Sequence, residues 1–118
     1  MQKAFSDYFD GHAVDAIVFP TTPEPARALK SDGVLTAEDG SDLSQLVYLR
    51  NTDPGSYCGL PGISLPIGMT SDRLPIGLGL DARHGFDRRL LSVTKQLEAL
   101  VPRIPAPEVP GTAEYRRP

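Results

Sequence analysis

The chain has 118 residues, which suits one ordinary domain or part of a larger one and excludes a second full domain. Its 11 Gly, 12 Pro and absence of Trp describe a loop-rich unit with a modest core rather than a long helical bundle. With a net charge of -3 and no basic run longer than Arg88-Arg89 or Arg116-Arg117, the chain lacks the clustered positive charge on which nucleic-acid and membrane-surface binding rest.

In chain order, Met1 to Asp10 sets Ala4, Phe5, Tyr8 and Phe9 at helical spacing, and Gly11 is the expected C-cap. The apolar, β-branched run Val14 to Phe19 reads as a buried strand stopped by Pro20. Thr21 to Gly40 has no sustained period and reads as an ordered loop or flap. Ser41 or Asp42 could then cap a helix from Leu43 to about Arg50. Two further strands are expected, Gly62 to Ile67 and Leu74 to Leu80, and the short polar joint between them favours antiparallel pairing. Pro66 and Pro75 should sit at strand ends, edges or bulges. Phe86, Leu90, Val93, Leu97 and Leu100 recur at steps of three and four, which predicts an amphipathic helix over 86–101 that ends at Pro102. Residues 1–102 are expected to form the folded unit, and 103–118 a Pro-rich tail, extended or disordered.

This order predicts an α/β unit, a small mixed sheet flanked by helices. A helical crossover would set Val14–Phe19 parallel to Gly62–Ile67. Three strands cover their faces poorly and leave a long edge, so the sheet should dock against something larger or against a second copy of itself. The single Cys58 argues for a reducing compartment, and no apolar run approaches the roughly 20 residues that span a bilayer. The N-terminus lacks the charged start and apolar centre of a targeting segment, so the expected location is the cytoplasm.

Cys58, His12 and His84 are scattered without metal-ligand spacing, and Cys58 reads as a small buried hydrophobe. The acidic stretch Glu38 to Ser44 lacks the regular oxygen ligands and closing Glu of a calcium loop and reads as a solvated turn. Asp81 and Asp87 flank the start of the last helix, where the dipole favours an acidic group, and this accounts for Asp87 with no catalytic role. Neither a metal nor a cofactor is expected.

The run RNTDPGSYCGLPGISLPIG at 50–68, then LPIGLGL at 74–80 and a helix containing FDRRLLSV, is similar in order to the closing portion of the amidase-signature family. VDAIVFPTTPEPA, at 14–26, resembles that family's strand ending in a PTTP turn. NTDPGS followed by GLPG is closest to the indoleacetamide and mandelamide hydrolase branch. The resemblance implies an α/β piece at one edge of a larger sheet, and a substrate wall built from Thr21, Thr22, Pro23 and Tyr57, with the long loop as a lid. It also implies hydrolysis of a primary aryl-acetamide-like substrate through an acyl-enzyme in the intact enzyme. Asn51, Asp53 and Gly55 are expected to shape the turn that presents Tyr57.

Two departures from the family pattern stand out. Tyr57 and Cys58 replace the usual Asn and small residue before GLP, so contacts carried by that Asn do not transfer to the phenol. The family's Ser nucleophile, second Ser and Lys base lie in a Gly/Ser-rich core that no part of this sequence matches, and Lys3, Lys30 and Lys95 adjoin no such loop. No catalytic residue is therefore assigned, and the chain alone is expected to be inactive. Its expected partners are an N-terminal amidase segment or a second copy, with a small amide substrate only in the intact enzyme. The rival reading is a non-enzymatic module, either a self-associating domain or a truncated gene product.

Overall fold

The computed structural model describes residues 1–27, 35–36, 40 and 42–105. Helix α1 spans Gln2–His12 and buries Phe9. It runs through Gly11, the expected stop, and ends on Ala13 in the left-handed conformation, φ 51° and ψ 41°. The Arg83 guanidinium pairs with Asp10 in the last turn, and on the helix itself the His12 ring lies 4.4 Å from that of Tyr8. The chain can therefore accept the roughly 1–2 kcal/mol that a left-handed non-glycine residue costs.

Strand β1 spans Ala16–Pro20, β4 Gly62–Met69 and β5 Pro75–Ala82. Their order is β1-β5-β4, with both ladders antiparallel. The expectation of a mixed sheet needs this correction: β1 and β4 do run the same way, but β5 lies between them, so no parallel ladder forms among the described residues. The short joint from Met69 to Pro75 folds β5 back along β4, and β1 pairs with the far edge of β5, so β5 separates the two strands that run the same way. The α/β character holds, since α3, Asp87–Glu98, covers one face of the sheet.

On that covered face lie Leu65, Leu80 and Ala82, packed with Leu90 of α3 and bordered by Ile63, Ile67, Leu78 and Leu97. Leu80 is fully buried. Leu100 lies beyond the end of α3 and is exposed, so the apolar spacing outlasts the helix by a turn. Arg89, in the first turn of α3, is bound to Asp15 at 2.9 and 2.6 Å and ties the helix to the start of β1.

Both prolines of the outer strands fall where a missing N–H is tolerated. The Thr21 N–H donates to Gly77 O at 2.9 Å and Pro61 O accepts from the Ala82 N–H at 3.0 Å. Two-residue alternation from these points turns the nitrogens of Pro20 and Pro66 away from β5. Pro66 also opens a bulge, where the register with β5 shifts before Gly68, and Pro75 is the first residue of its strand.

The middle of the chain departs most from expectation. Leu35–Thr36 (β2) pairs antiparallel with Asp42–Leu43 (β3). The helix anticipated from Leu43 is instead a 3-10 turn, Gln45–Leu49, whose cap is Ser44 accepting from the Leu46 N–H. Leu46 and Leu49 are exposed, so the apolar spacing there has no core to bury against. The stretch read as a turn, by contrast, contains a helix, α2, Asp53–Cys58. Pro54 suits a first helical turn, where its missing N–H is no loss, and Gly59 closes the helix at φ 64°. Half of the anticipated flap, 28–34 and 37–39, together with residue 41 and residues 106–118 of the anticipated tail, lies outside the described residues. No helix among the described residues is long and apolar enough to cross a membrane.

Candidate functional site

The sheet's second face is built differently from the first. Alternation along β5 puts Gly77, Gly79 and Asp81 there, with Phe19 and Thr21 from the β1 side and Gly62 and Ser64 from β4. The three small residues are required by close neighbours. A Cβ at Gly77 would lie 2.7 Å from both the Thr21 and Ser64 hydroxyls, and one at Gly79 would collide with the Phe19 ring. A Cβ at Gly62 would lie 2.7 Å from Asp81 Oδ1. The result is a shallow, partly polar floor in place of an apolar one.

Thr21 Oγ1 and Ser64 Oγ are 2.6 Å apart across Gly77. This hydroxyl pair stands between two hollows. One, of about 290 Å³, runs over Phe19, Gly79 and Asp81 to Thr52, Ser56 and Leu60. The other, of about 280 Å³, continues over Thr22, Pro66 and Ile76. Backbone contacts set the position of the Thr21 end: Asn51 Nδ2 donates to Pro20 O at 2.7 Å, and the Tyr48 hydroxyl donates to Pro25 O at 3.0 Å. The segment from Asn51 therefore orders the PTTP turn itself.

Asp81 carries the unusual electrostatics. Its carboxyl lies against Gly55 of α2 and against Gly62, and no hydrogen bond or ion pair reaches it from the described residues. Burial pushes it above the ordinary carboxylate range. Asp15 moves the other way, because its hydrogen bonds with Arg89 hold it below that range.

Of the side chains expected at the substrate wall, Thr21 lines both hollows and Thr22 lines the second, with its Oγ1 donating to Glu24 O at 2.8 Å. Pro23 is exposed on the same turn, and Tyr57 projects from α2 with 84% of its surface exposed. Thr21 and Thr22 thus line these hollows, whereas Tyr57 lines neither. Sequence reasoning missed Ser64 and Asp81. Ser64 is found only through the register that pairs it with Gly79. Asp81 was readable as a face residue once β5 is extended to Ala82.

A larger hollow of about 410 Å³, between α1 and the turn after β5, includes Lys3, Cys58, Arg83 and His84. Its cations are already engaged: Lys3 binds Asp7 at 2.7 and 2.9 Å, and Arg83 binds Asp10. Cys58 is buried, as expected of a small hydrophobe. Among the described residues no group of three His, Cys, Asp or Glu is arranged to hold a metal ion.

The family model for amidases matches residues 1–91, which include the whole of this floor. The chain belongs to the amidase family. It is 42% identical over 101 residues to an indoleacetamide hydrolase of Agrobacterium vitis, covering 86% of this chain and 22% of the relative. Against a mandelamide hydrolase of Pseudomonas putida it is 37% identical over 110 residues, covering 92% of this chain and 20% of that protein. Among solved structures, an amidase superposes with a TM-score of 0.69 at 26% identity, covering 86% of this chain and 23% of that one. A 6-aminohexanoate cyclic dimer hydrolase superposes with a TM-score of 0.66 at 29% identity, again over 86% of this chain and 23% of the other. This amidase chain spans about a fifth of the length of the curated relatives it matches.

Proposed function

We propose that this chain supplies the sheet support and part of the substrate wall of an amide hydrolase whose nucleophile comes from the rest of the amidase fold. The supporting observation is the Thr21–Ser64 hydroxyl pair, set beside a 290 Å³ hollow on the face of the sheet that α3 leaves open. The relatives named for indoleacetamide and mandelamide support a primary aryl-acetamide as the substrate class. The reaction is attack by an activated seryl hydroxyl on the amide carbonyl, loss of ammonia to leave an acyl-enzyme, and its hydrolysis to the carboxylate. In this scheme Thr21, Thr22 and Pro23 border the acyl group and Tyr57 faces the part of the fold that carries the nucleophile.

On this reading the chain has no turnover of its own. Incubated with indole-3-acetamide, the purified chain should release no ammonia. Clear release that a serine-directed reagent abolishes would overturn the proposal.

A second reading, self-association without catalysis, draws on the thin three-stranded sheet and on Val18, 57% exposed along β1. Sedimentation separates the two. A stable dimer of the chain alone favours self-association, and a monomer that tightens only with an N-terminal amidase segment favours the split wall.

A further inference from the structure

The hollow bounded by Thr21 and Ser64 has a second polar end. Asp81 follows Gly79 on the same face of β5, and Gly79 is the register partner of Ser64. The hydroxyls meet over Gly77, four residues before Asp81 on β5, so the two polar ends stand on the order of 13 Å apart along the strand, with the Phe19 ring and Gly79 as the apolar part of the floor between them. The hydroxyl pair can both donate and accept, whereas an ionised carboxylate can only accept. An amide, which also both donates and accepts, suits the hydroxyl end, an N–H donor suits the carboxylate end, and a flat apolar body suits the floor between them.

We propose that Asp81 is a specificity-determining residue that accepts a hydrogen bond from a ring N–H of an aromatic amide seated in this hollow. The assignment rests on the substrate-wall reading above and deepens it. Three features of the geometry support it. The carboxyl faces the hollow without a hydrogen bond from any described residue. It occupies the space left by two glycines, Gly55 and Gly62, at each of which a side chain would displace it. The floor beside it is kept flat by Gly79, where a Cβ would strike the Phe19 ring. Removing water from the hollow strengthens such a bond, because a desolvated carboxylate left unpaired is costly.

The chain contains no Trp, so the fluorescence of an indole probe is read against no protein indole. The test titrates the full 118-residue chain into indole-3-acetamide and, separately, into its N1-methyl analogue, which keeps the amide and the ring but has no ring N–H. The unmethylated probe should bind about ten-fold more tightly than the methylated one. Asp81→Leu, which offers no acceptor, should erase that preference. Thr21→Val should weaken both probes equally, because the hydroxyl pair meets the amide they share. Circular dichroism establishes that each variant is folded. Equal binding of the two probes to the unaltered chain would overturn the role of Asp81 while leaving the wall intact. Binding of neither probe, to the chain alone or with an N-terminal amidase segment added, would overturn the wall and, with it, this assignment.

Discussion

Gly55→Ala sets two opposed effects against each other at a single atom. Within a helix Ala is favoured over Gly by about 1 kcal/mol. At this position in α2, however, the new methyl would occupy space already taken by the Asp81 carboxyl. Overpacking of this kind costs roughly 1–3 kcal/mol. The substitution should therefore range from neutral to destabilising by about 2 kcal/mol. With Asp81 shortened to Ala the obstacle is gone, and the same methyl should stabilise by up to about 1 kcal/mol. The two substitutions are thus coupled by roughly 1–3 kcal/mol, within the range found for residues in contact. Urea unfolding of the four chains, followed by far-UV circular dichroism, measures the cycle. If Gly55→Ala stabilised both backgrounds by the same amount, Asp81 would not be seated against α2, and the reasoning about the hollow's carboxylate end would fail with it.

Leu80→Ala empties the centre of the core, where the side chain is fully buried, and should cost about 3–5 kcal/mol in a denaturant titration. Asn51→Ala removes the 2.7 Å bond to Pro20 O; a loss of about 1 kcal/mol is expected, with faster amide exchange at Thr21 and Thr22. Asp15 is held below the ordinary carboxylate range, so its contribution is present above the unfolded-state pKa and is lost as pH falls through the lower folded value. Asp15→Asn should abolish that part of the acid-side fall in thermal midpoint, with little change near neutrality because the pair is exposed. Asp81 has the opposite sign. The folded chain holds its proton more tightly than the unfolded chain, so stability fades as pH rises through its raised pKa, and Asp81→Asn should flatten the midpoint over that interval.

The amphipathic helix at the end of the chain and the β4–β5 hairpin were legible because one period runs through each of them without competition. Leu90 and Leu97 both reach the core, and the short polar joint left β5 no choice but to fold back. The position of β1 beside β5 was not legible, since local pattern says nothing about which edge a distant strand will join. Helix α2 was hidden by Pro54 and Gly55, residues usually taken as breakers. The useful signal was their placement, with Pro in the first turn and Gly59 just past the end. At Leu43 to Arg50 a helical period was present, but Leu46 and Leu49 found nothing to bury against, and only a 3-10 turn formed. At the site, the PTTP turn drew attention to Thr21, whereas Ser64 and Asp81 acquire meaning only from the ladder that brings them to one face.

Pro20 and Pro66 stand on opposite flanks of β5 at nearly the same level, opposite Leu78 and Gly77 respectively. A foreign strand approaching from either side could zip from the Ala16 or Gly62 end and would then run out of donors. That favours short, terminable attachment over the endless stacking that leads to fibres. A piece of sheet so thin can thus offer its rims to a specific neighbour and still resist aggregating while it waits for one.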